Sequence, residues 1–117
     1  MNHSYEPVIG LEVHMQLSTN SKAYSSDPAA YGALPNHHVS PVTLGHPGTL
    51  PVLNERAVEF AIKLGLAVGS QITRENHFAR KNYFYADLPK GYQITQDTTP
   101  ICRGGGIDIK LKDGTQK

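Results

Sequence analysis

The stretch from Arg80 to Gln93 carries side chains whose types and spacing could do chemistry. It combines three cations, one carboxylate, two amides and four of the chain's nine aromatic rings. Cations hold anions, and aromatic faces add stacking and rigidity, so this mixture suits a site for a charged or nucleotide-like ligand. An aromatic-rich strand with lysine stems lying along its surface would have a similar composition. The stretch alone leaves both interpretations open.

A second row of polar side chains lies near the N-terminus, in residues 8–18. The odd positions from Ile9 to Leu17 are all apolar, and the even positions include the polar residues Glu12, His14 and Gln16. Because successive side chains of a strand point to opposite faces, the pattern predicts a strand whose apolar face packs on a core. The opposite face then presents a carboxylate, an imidazole and an amide in a row. That row can hold a metal ion or position a proton, although an ordinary solvated sheet face is the alternative.

Residues 54–67 form the clearest helical pattern. Asn54 can cap the first turn, and Glu55 lies where the helix dipole favours an anion. Apolar residues follow the i, i+3, i+4, i+7 spacing at Ala57, Phe60, Ala61 and Leu64. We expect a substantially buried structural helix that stops at Gly69, with Gly65 marking a close packing contact.

The C-terminal half is typical of extended structure. We expect extended chain over 71–84, a turn over 87–91, and a second strand over 92–101. Residues 107–112 alternate as a half-buried strand, and Asp113-Gly114 is a hairpin signal. Only three residues follow that signal, so we expect the chain to stop in mid-fold.

The remaining segments give weaker signals. Residues 19–51 are rich in proline and glycine and predict irregular structure. We interpret His37, His38 and His46 there as ordinary loop histidines, with metal ligands as the alternative, because no second pair with ligand spacing accompanies them. The glycine run 104–106 lacks the spacing of a phosphate-binding loop and is interpreted as a flexible turn.

Bulk properties bound the class of protein. The 117 residues carry a net charge of +1 and are 38% apolar, which fits one domain, or part of one whose burial depends on further sequence or a partner. The charge balance gives no support for tight non-specific nucleic-acid binding. Cys102 is the single cysteine, so neither an internal disulfide nor a cysteine zinc site is available. We find no signal peptide or membrane span and expect a cytoplasmic protein of the α+β class, mostly antiparallel sheet with one well-defined helix.

Three stretches together resemble one family. Residues 7–14, 44–54 and 80–94, the last including Arg80-Lys81-Asn82-Tyr83-Phe84-Tyr85, are similar in order and spacing to the N-terminal part of the GatB family. This family comprises the B subunits of aspartyl/glutamyl-tRNA(Asn/Gln) amidotransferases. The resemblance implies that residues 1–117 are the N-terminal part of a cradle-like catalytic domain built largely from antiparallel sheet.

The resemblance also implies an activity for the full-length protein. Members are ATP- and magnesium-dependent carbon–nitrogen ligases that activate the side-chain carboxylate of misacylated Glu-tRNA(Gln) or Asp-tRNA(Asn). Ammonia from the amidase, or A, subunit then replaces phosphate, and the small C subunit completes the GatCAB complex. The tRNA is bound mostly by C-terminal domains outside this chain, and the isolated chain is expected to be inactive.

The same resemblance implies roles for particular residues. Glu12 and His14 match the magnesium-containing site, and Lys81, Tyr83 and Lys90 match positions that line the ammonia path or catalytic pocket. Gln16 is a weaker metal-site candidate. The motif also contains Asn82, Tyr85, Asp87 and Gln93.

The chain departs from the family pattern in its early loops. Some members carry paired cysteines there that bind zinc, but residues 25–27 and 40–43 contain none. We therefore predict no structural zinc and expect packing and hydrogen bonds to order these loops. An acidic motif that helps to complete the family's catalytic site is expected beyond Lys117. The alternative function is a non-catalytic interaction domain that reuses the same scaffold.

Overall fold

The chain folds as α+β, in agreement with the sequence-based class. The computed structural model describes residues 4–116. Its elements, in chain order, are α1 (Pro41–Leu44), α2 (Glu55–Ala67), β1 (Gln71–Ile72), β2 (Ala79–Asn82), β3 (Tyr92–Thr95) and β4 (Cys102–Arg103). The strands form two antiparallel pairs, β1 with β4 and β2 with β3.

Helix α2 begins and ends as its sequence predicts. The Asn54 side chain accepts hydrogen bonds from the backbone N–H groups of Arg56 and Ala57, which satisfies two free donors of the first turn. At the other end, the N–H of Gly69 donates to Leu66 and that of Ser70 donates to Gly65, at 3.3 and 2.7 Å. Gly69 has φ +70°. These contacts form a Schellman motif, for which glycine is the favoured residue.

The four strands belong to one interrupted antiparallel ribbon. Gln71 pairs with Arg103, and Ala79 pairs with Thr95, so the register is the same in both pairs. The segments between them, 73–78 and 96–101, lie outside the strands and are equal in length, and Thr73 N–H still donates to Ile101 O at 2.9 Å. The extended chain expected over 71–84 is therefore confirmed in part, at 71–72 and 79–82, whereas the strand expected over 92–101 is formed only over 92–95. Tyr83 N–H donates to Gly91 O at 2.9 Å and closes the ribbon around the expected turn.

Helix α2 packs on the open end of this ribbon through Gly65, the only buried residue of the helix. A Cβ atom at this position would overlap Cys102 Sγ and would lie 3.0 Å from Ile72 Cδ1. The close approach explains a glycine inside a helix. The expectation of a substantially buried helix is wrong, however, because the side chains of Leu64 and Leu66 are 55% and 66% exposed.

The predicted strand at 8–18 is not formed. Residues 8–18 have no ladder partner, and the side chains of Ile9, Leu11 and Val13 are 85–90% exposed. The expected packing of their apolar face on a core is therefore also wrong. The alternation is present in the sequence, but a strand needs a neighbouring strand to pair with, and residues 4–116 do not provide one.

Two expectations near the C-terminus are also corrected. Residues 107–112 form no strand beyond a single bridge from Lys110 to Gln116, although Leu111 N–H donates to Thr115 O and closes the predicted hairpin turn. The glycine run 104–106 is held rather than loose. Gly106 N–H donates to Val68 O at 2.9 Å.

The described residues enclose no apolar core. No hydrophobic side chain among residues 4–116 is buried. The accessible surface is 10313 Å², against about 6,300 Å² for a compact protein of this mass. The radius of gyration is 18.7 Å, against about 13 Å for a compact domain of this length. Within this part of the chain, no helix has the length and apolar character to cross a membrane.

Candidate functional site

A cavity of about 630 Å³ lies between the loops and the β2–β3 hairpin. Four segments line it: residues 12–14, residues 22–25, residues 42–43, and the hairpin between Lys81 and Thr95. Both chemistry-bearing stretches of the sequence thus meet at one site, which we call the central cavity.

The register of the hairpin positions its polar side chains. Lys81 and Gln93 are directly opposite each other across β2 and β3, so their side chains share one face of the ribbon. Both residues line the central cavity, and Lys90 joins them from the turn that connects the strands. On the opposite face, Arg80 and Tyr92 line a separate cavity of about 330 Å³.

The N-terminal segment contributes Glu12 and His14 to the central cavity. Four of the five predicted site residues are therefore brought together: Glu12, His14, Lys81 and Lys90. The fifth, Tyr83, does not line the cavity, and its ring stacks on that of Tyr85 with centroids 4.2 Å apart. Gln16 lines a different cavity, which separates it from the other two members of its row.

One aromatic ring of the 80–93 stretch, that of Tyr92, is occupied by cations of the same stretch. The Arg80 guanidinium lies over the Tyr92 ring, 4.4 Å from its centroid. The Lys90 Nζ lies 5.2 Å from the same centroid. These contacts rigidify the hairpin, and they agree in part with the interpretation of the stretch as a structural aromatic ribbon. The cavity-facing side chains, rather than the ring faces, carry the possible chemistry.

The charges around the central cavity suit an anionic ligand beside a metal ion or a proton donor. Lys81, Lys90 and Lys22 all line the cavity and each carries an ammonium group, although that of Lys90 lies near the Tyr92 ring. Sequence reasoning missed Lys22 because no motif marks it. Its Nζ donates to the backbone carbonyl of His38, which anchors the ammonium between two loops.

Glu12 and His14 are the two residues predicted to bind a metal ion. Residues 4–116 contain no group of three or more histidine, cysteine or acidic side chains placed to share an ion. Magnesium, however, usually takes one or two carboxylates and completes its octahedron with water and phosphate oxygens. The Glu12 carboxylate fits such a site, whereas imidazole is better suited to zinc or iron. His14 therefore fits the role of a neighbouring hydrogen-bonding group better than that of a magnesium ligand.

A second polar cluster, which the sequence did not reveal, adjoins the cavity. Asp27 Oδ2 accepts hydrogen bonds from Ser25 Oγ at 3.0 Å, from Ser40 Oγ at 2.9 Å, and from Thr43 Oγ1. These bonds, above all that from Thr43, together with the nearby Lys22 ammonium, lower the pKa of Asp27 below its usual value. Ser25 and Thr43 also line the central cavity.

The sequence of the chain matches a known family. A sequence model described as the GatB/GatE catalytic domain matches residues 7–117. The chain belongs to this family.

Individual relatives agree with that assignment. The B subunit of the aspartyl/glutamyl-tRNA(Asn/Gln) amidotransferase of Salinibacter ruber is 61% identical over 105 residues, covering 90% of this chain and 21% of that protein. The B subunit from Nitratidesulfovibrio vulgaris is 59% identical over 114 residues, covering 97% and 24%. The one from Bdellovibrio bacteriovorus is 56% identical over 116 residues, covering 99% and 24%. The chain thus spans between 21% and 24% of the length of these relatives.

Proposed function

We propose that the complete protein containing this chain is the B subunit of a glutamine-hydrolysing, ATP-dependent tRNA amidotransferase. Its substrate is misacylated Glu-tRNA(Gln) or Asp-tRNA(Asn). The family match over residues 7–117 is the observation that carries this proposal. The relatives' names give the substrate class, and the central cavity supplies a site with suitable charges.

The reaction requires two displacements. A side-chain carboxylate oxygen of the aminoacyl group attacks the γ-phosphorus of ATP, forming an acyl phosphate and releasing ADP. Ammonia then attacks the acyl carbon, loses a proton, and releases inorganic phosphate. Both steps gather negative charge on phosphoryl oxygens, so cations fixed in advance beside those oxygens favour the transition states.

The residues of this chain fit particular parts of that work. The ammonium groups of Lys81 and Lys90 would offset charge on the transferred phosphoryl group or on the acyl oxygen. His14 would move a proton at or near the attacking ammonia. Tyr83, outside the cavity lining, would support the hairpin that holds Lys81. Gln93, opposite Lys81, would orient the substrate through hydrogen bonds.

Magnesium would bind beside Glu12, whose carboxylate would be one of its ligands. The ion would neutralise phosphate charge when ATP is bound. The remaining ligands would come from water, phosphate and side chains outside this chain, including the acidic motif expected beyond Lys117. We further propose that the protein acts in the cytoplasm with a glutamine-hydrolysing amidase (A) partner and a small C partner.

Reconstitution tests this proposal. The complete protein, mixed with its two partner subunits, is given Glu-tRNA(Gln) or Asp-tRNA(Asn), ATP and glutamine, and the amino acid released from the tRNA is identified. We expect ATP-dependent formation of Gln-tRNA(Gln) or Asn-tRNA(Asn), with ammonium chloride able to replace glutamine. No amidation from either ammonia source, in a complex that still hydrolyses glutamine, would favour the non-catalytic interaction domain instead.

A further inference from the structure

Asp27 gathers side chains from two loops that are far apart in sequence. It bonds with Ser25 in its own loop and with Ser40 and Thr43, which lie 13 and 16 residues further along the chain. Ser25 and Asp27 are the only buried polar residues among residues 4–116, at 7% and 8% exposure. Burial of a carboxylate is costly unless its oxygens are hydrogen-bonded, and here three hydroxyl groups bond to one oxygen.

The resemblance implies that these positions, in residues 25–27 and 40–43, correspond to stretches in which some members of the family carry zinc-binding cysteines. The donors found here do not fit zinc. Zinc in structural sites takes thiolate, imidazole or carboxylate ligands, whereas this cluster offers three neutral hydroxyls and one carboxylate. No buried side-chain nitrogen or oxygen atom of the described residues lacks a hydrogen-bond partner. The cluster is therefore satisfied without an ion.

We propose that the Asp27 carboxylate takes the place of a zinc ion at the centre of a clamp, which consists of Asp27, Ser25, Ser40 and Thr43. This clamp fixes the loop wall of the central cavity. Two members of the clamp, Ser25 and Thr43, line the cavity directly. A backbone hydrogen bond links Lys22 to the clamp as well, since Lys22 N–H donates to Asp27 O at 2.9 Å. Asp27 is thus a positioning residue, acting through Lys22, Ser25 and Thr43. This role of Asp27 is independent of whether the protein catalyses amidation.

The clamp should open in acid. The folded-state pKa of Asp27 lies below its ordinary value of 3.8. A carboxyl group of this kind stabilises the fold above its unfolded pKa, and that contribution is lost as pH falls through the folded pKa. The groups facing Asp27 are the Lys22 ammonium and the hydroxyls of Ser25, Ser40 and Thr43. Asp27 is the only carboxyl group among these side chains, so we assign the transition to it.

Hydrogen exchange of the complete protein tests the clamp. In Asp27→Ala, we expect amides of residues 20–29 and 40–46 to exchange about tenfold faster or more, because local opening no longer breaks these bonds. Asp27→Asn should exchange at an intermediate rate and lose the acid transition of the parent protein. Asp113→Asn is the control, since Asp113 also bonds to a hydroxyl, that of Thr115, but lies outside the cavity lining. Unchanged exchange in Asp27→Ala would overturn the proposal.

Metal measurements separate a carboxylate clamp from a hidden zinc site. The purified protein should contain less than stoichiometric zinc, and a chelator should leave the exchange of both loops unchanged. One zinc per chain, whose removal opens the loops, would overturn the proposal. The variant S25C/D27C/S40C/T43C should bind one cobalt(II) ion with a tetrahedral thiolate spectrum and regain slow exchange only with metal. Failure of this variant to bind metal would show that the four side chains do not converge.

Discussion

Lys81 and Arg80 are neighbours in sequence but lie on opposite faces of the hairpin. Lys81 lines the central cavity, whereas Arg80 covers the Tyr92 ring. Strand alternation separates their roles: one cation faces a possible substrate and the other supports the hairpin. Both interpretations of the stretch therefore apply in part. Lys81 faces the cavity, as a ligand site requires, and Arg80 packs on an aromatic ring, as in a structural strand.

Replacing Lys81 should therefore lower amidation without unfolding the hairpin. We expect Lys81→Met, which keeps the apolar stem, to reduce the amidation rate of the complete complex by about a hundredfold, because one charged group is lost from the transition state. The glutaminase rate should not change. Lys112→Met, at an exposed position outside the cavity lining, should match the parent protein. Equal amidation by the Lys81 variant would remove this residue from the site.

At the scale of elements, Asn54 joins the start of α2 to the loop that carries Lys22. Its Oδ1 caps the helix, and its Nδ2 donates to Ser21 O and Ser21 Oγ, both at 3.0 Å. The sequence predicted the cap because a cap is local. It did not predict the contacts to residues more than thirty positions away, since no periodicity reports them.

Variants at Asn54 should separate these two functions. We expect Asn54→Ala to lower the free energy of unfolding by about 2–3 kcal/mol, since the cap and the loop contacts are both lost. Asn54→Asp keeps an acceptor for the cap and loses the donor, so it should lie between Asn54→Ala and the parent protein. Urea unfolding of the complete protein measures both. Equal stability of the alanine variant and the parent protein would contradict this role.

The contact between α2 and β4 makes a second prediction at this scale. Alanine favours helices over glycine by about 1 kcal/mol, yet Gly65→Ala should destabilise the protein by about 1–3 kcal/mol because the new methyl group overlaps Cys102 Sγ. The double variant Gly65→Ala/Cys102→Ala should recover part of this loss, as measured by the same urea unfolding. A stabilised single variant would show that the helix does not approach β4 closely.

For the whole molecule, the absence of a buried apolar core in residues 4–116 is the dominant property. The apolar row at 8–18 has the alternation of a strand and no partner, while α2 exposes Leu64 and Leu66. Local signals such as caps, turns and helical periodicity were therefore predictable from sequence. The sequence could not show whether residues 8–18 form a strand or whether the helix is buried, because both depend on surfaces that pair with distant residues. The Asp27 cluster was missed for the same reason.

This exposure should be measurable. We expect a polypeptide of residues 1–117 to bind the dye ANS strongly, because contiguous exposed apolar surface attracts it. The complete protein should bind less dye per chain. The triple variant Ile9→Lys/Leu11→Lys/Val13→Lys should reduce binding to the short polypeptide. Weak dye binding by the unmodified polypeptide would indicate that these side chains are covered within residues 1–117.

The most direct test of the central claim compares two Glu-x-His pairs in the same chain. Glu12 and His14 line the central cavity, whereas Glu75 and His77 form an exposed pair with Oε1 and Nε2 3.4 Å apart. In the reconstituted complex, Glu12→Ala and His14→Ala should each abolish tRNA-dependent amidation and leave glutamine hydrolysis largely intact. Glu75→Ala and His77→Ala should retain both activities. Undiminished amidation in both the Glu12 and the His14 variants would contradict the assignment of the central cavity as the site of chemistry.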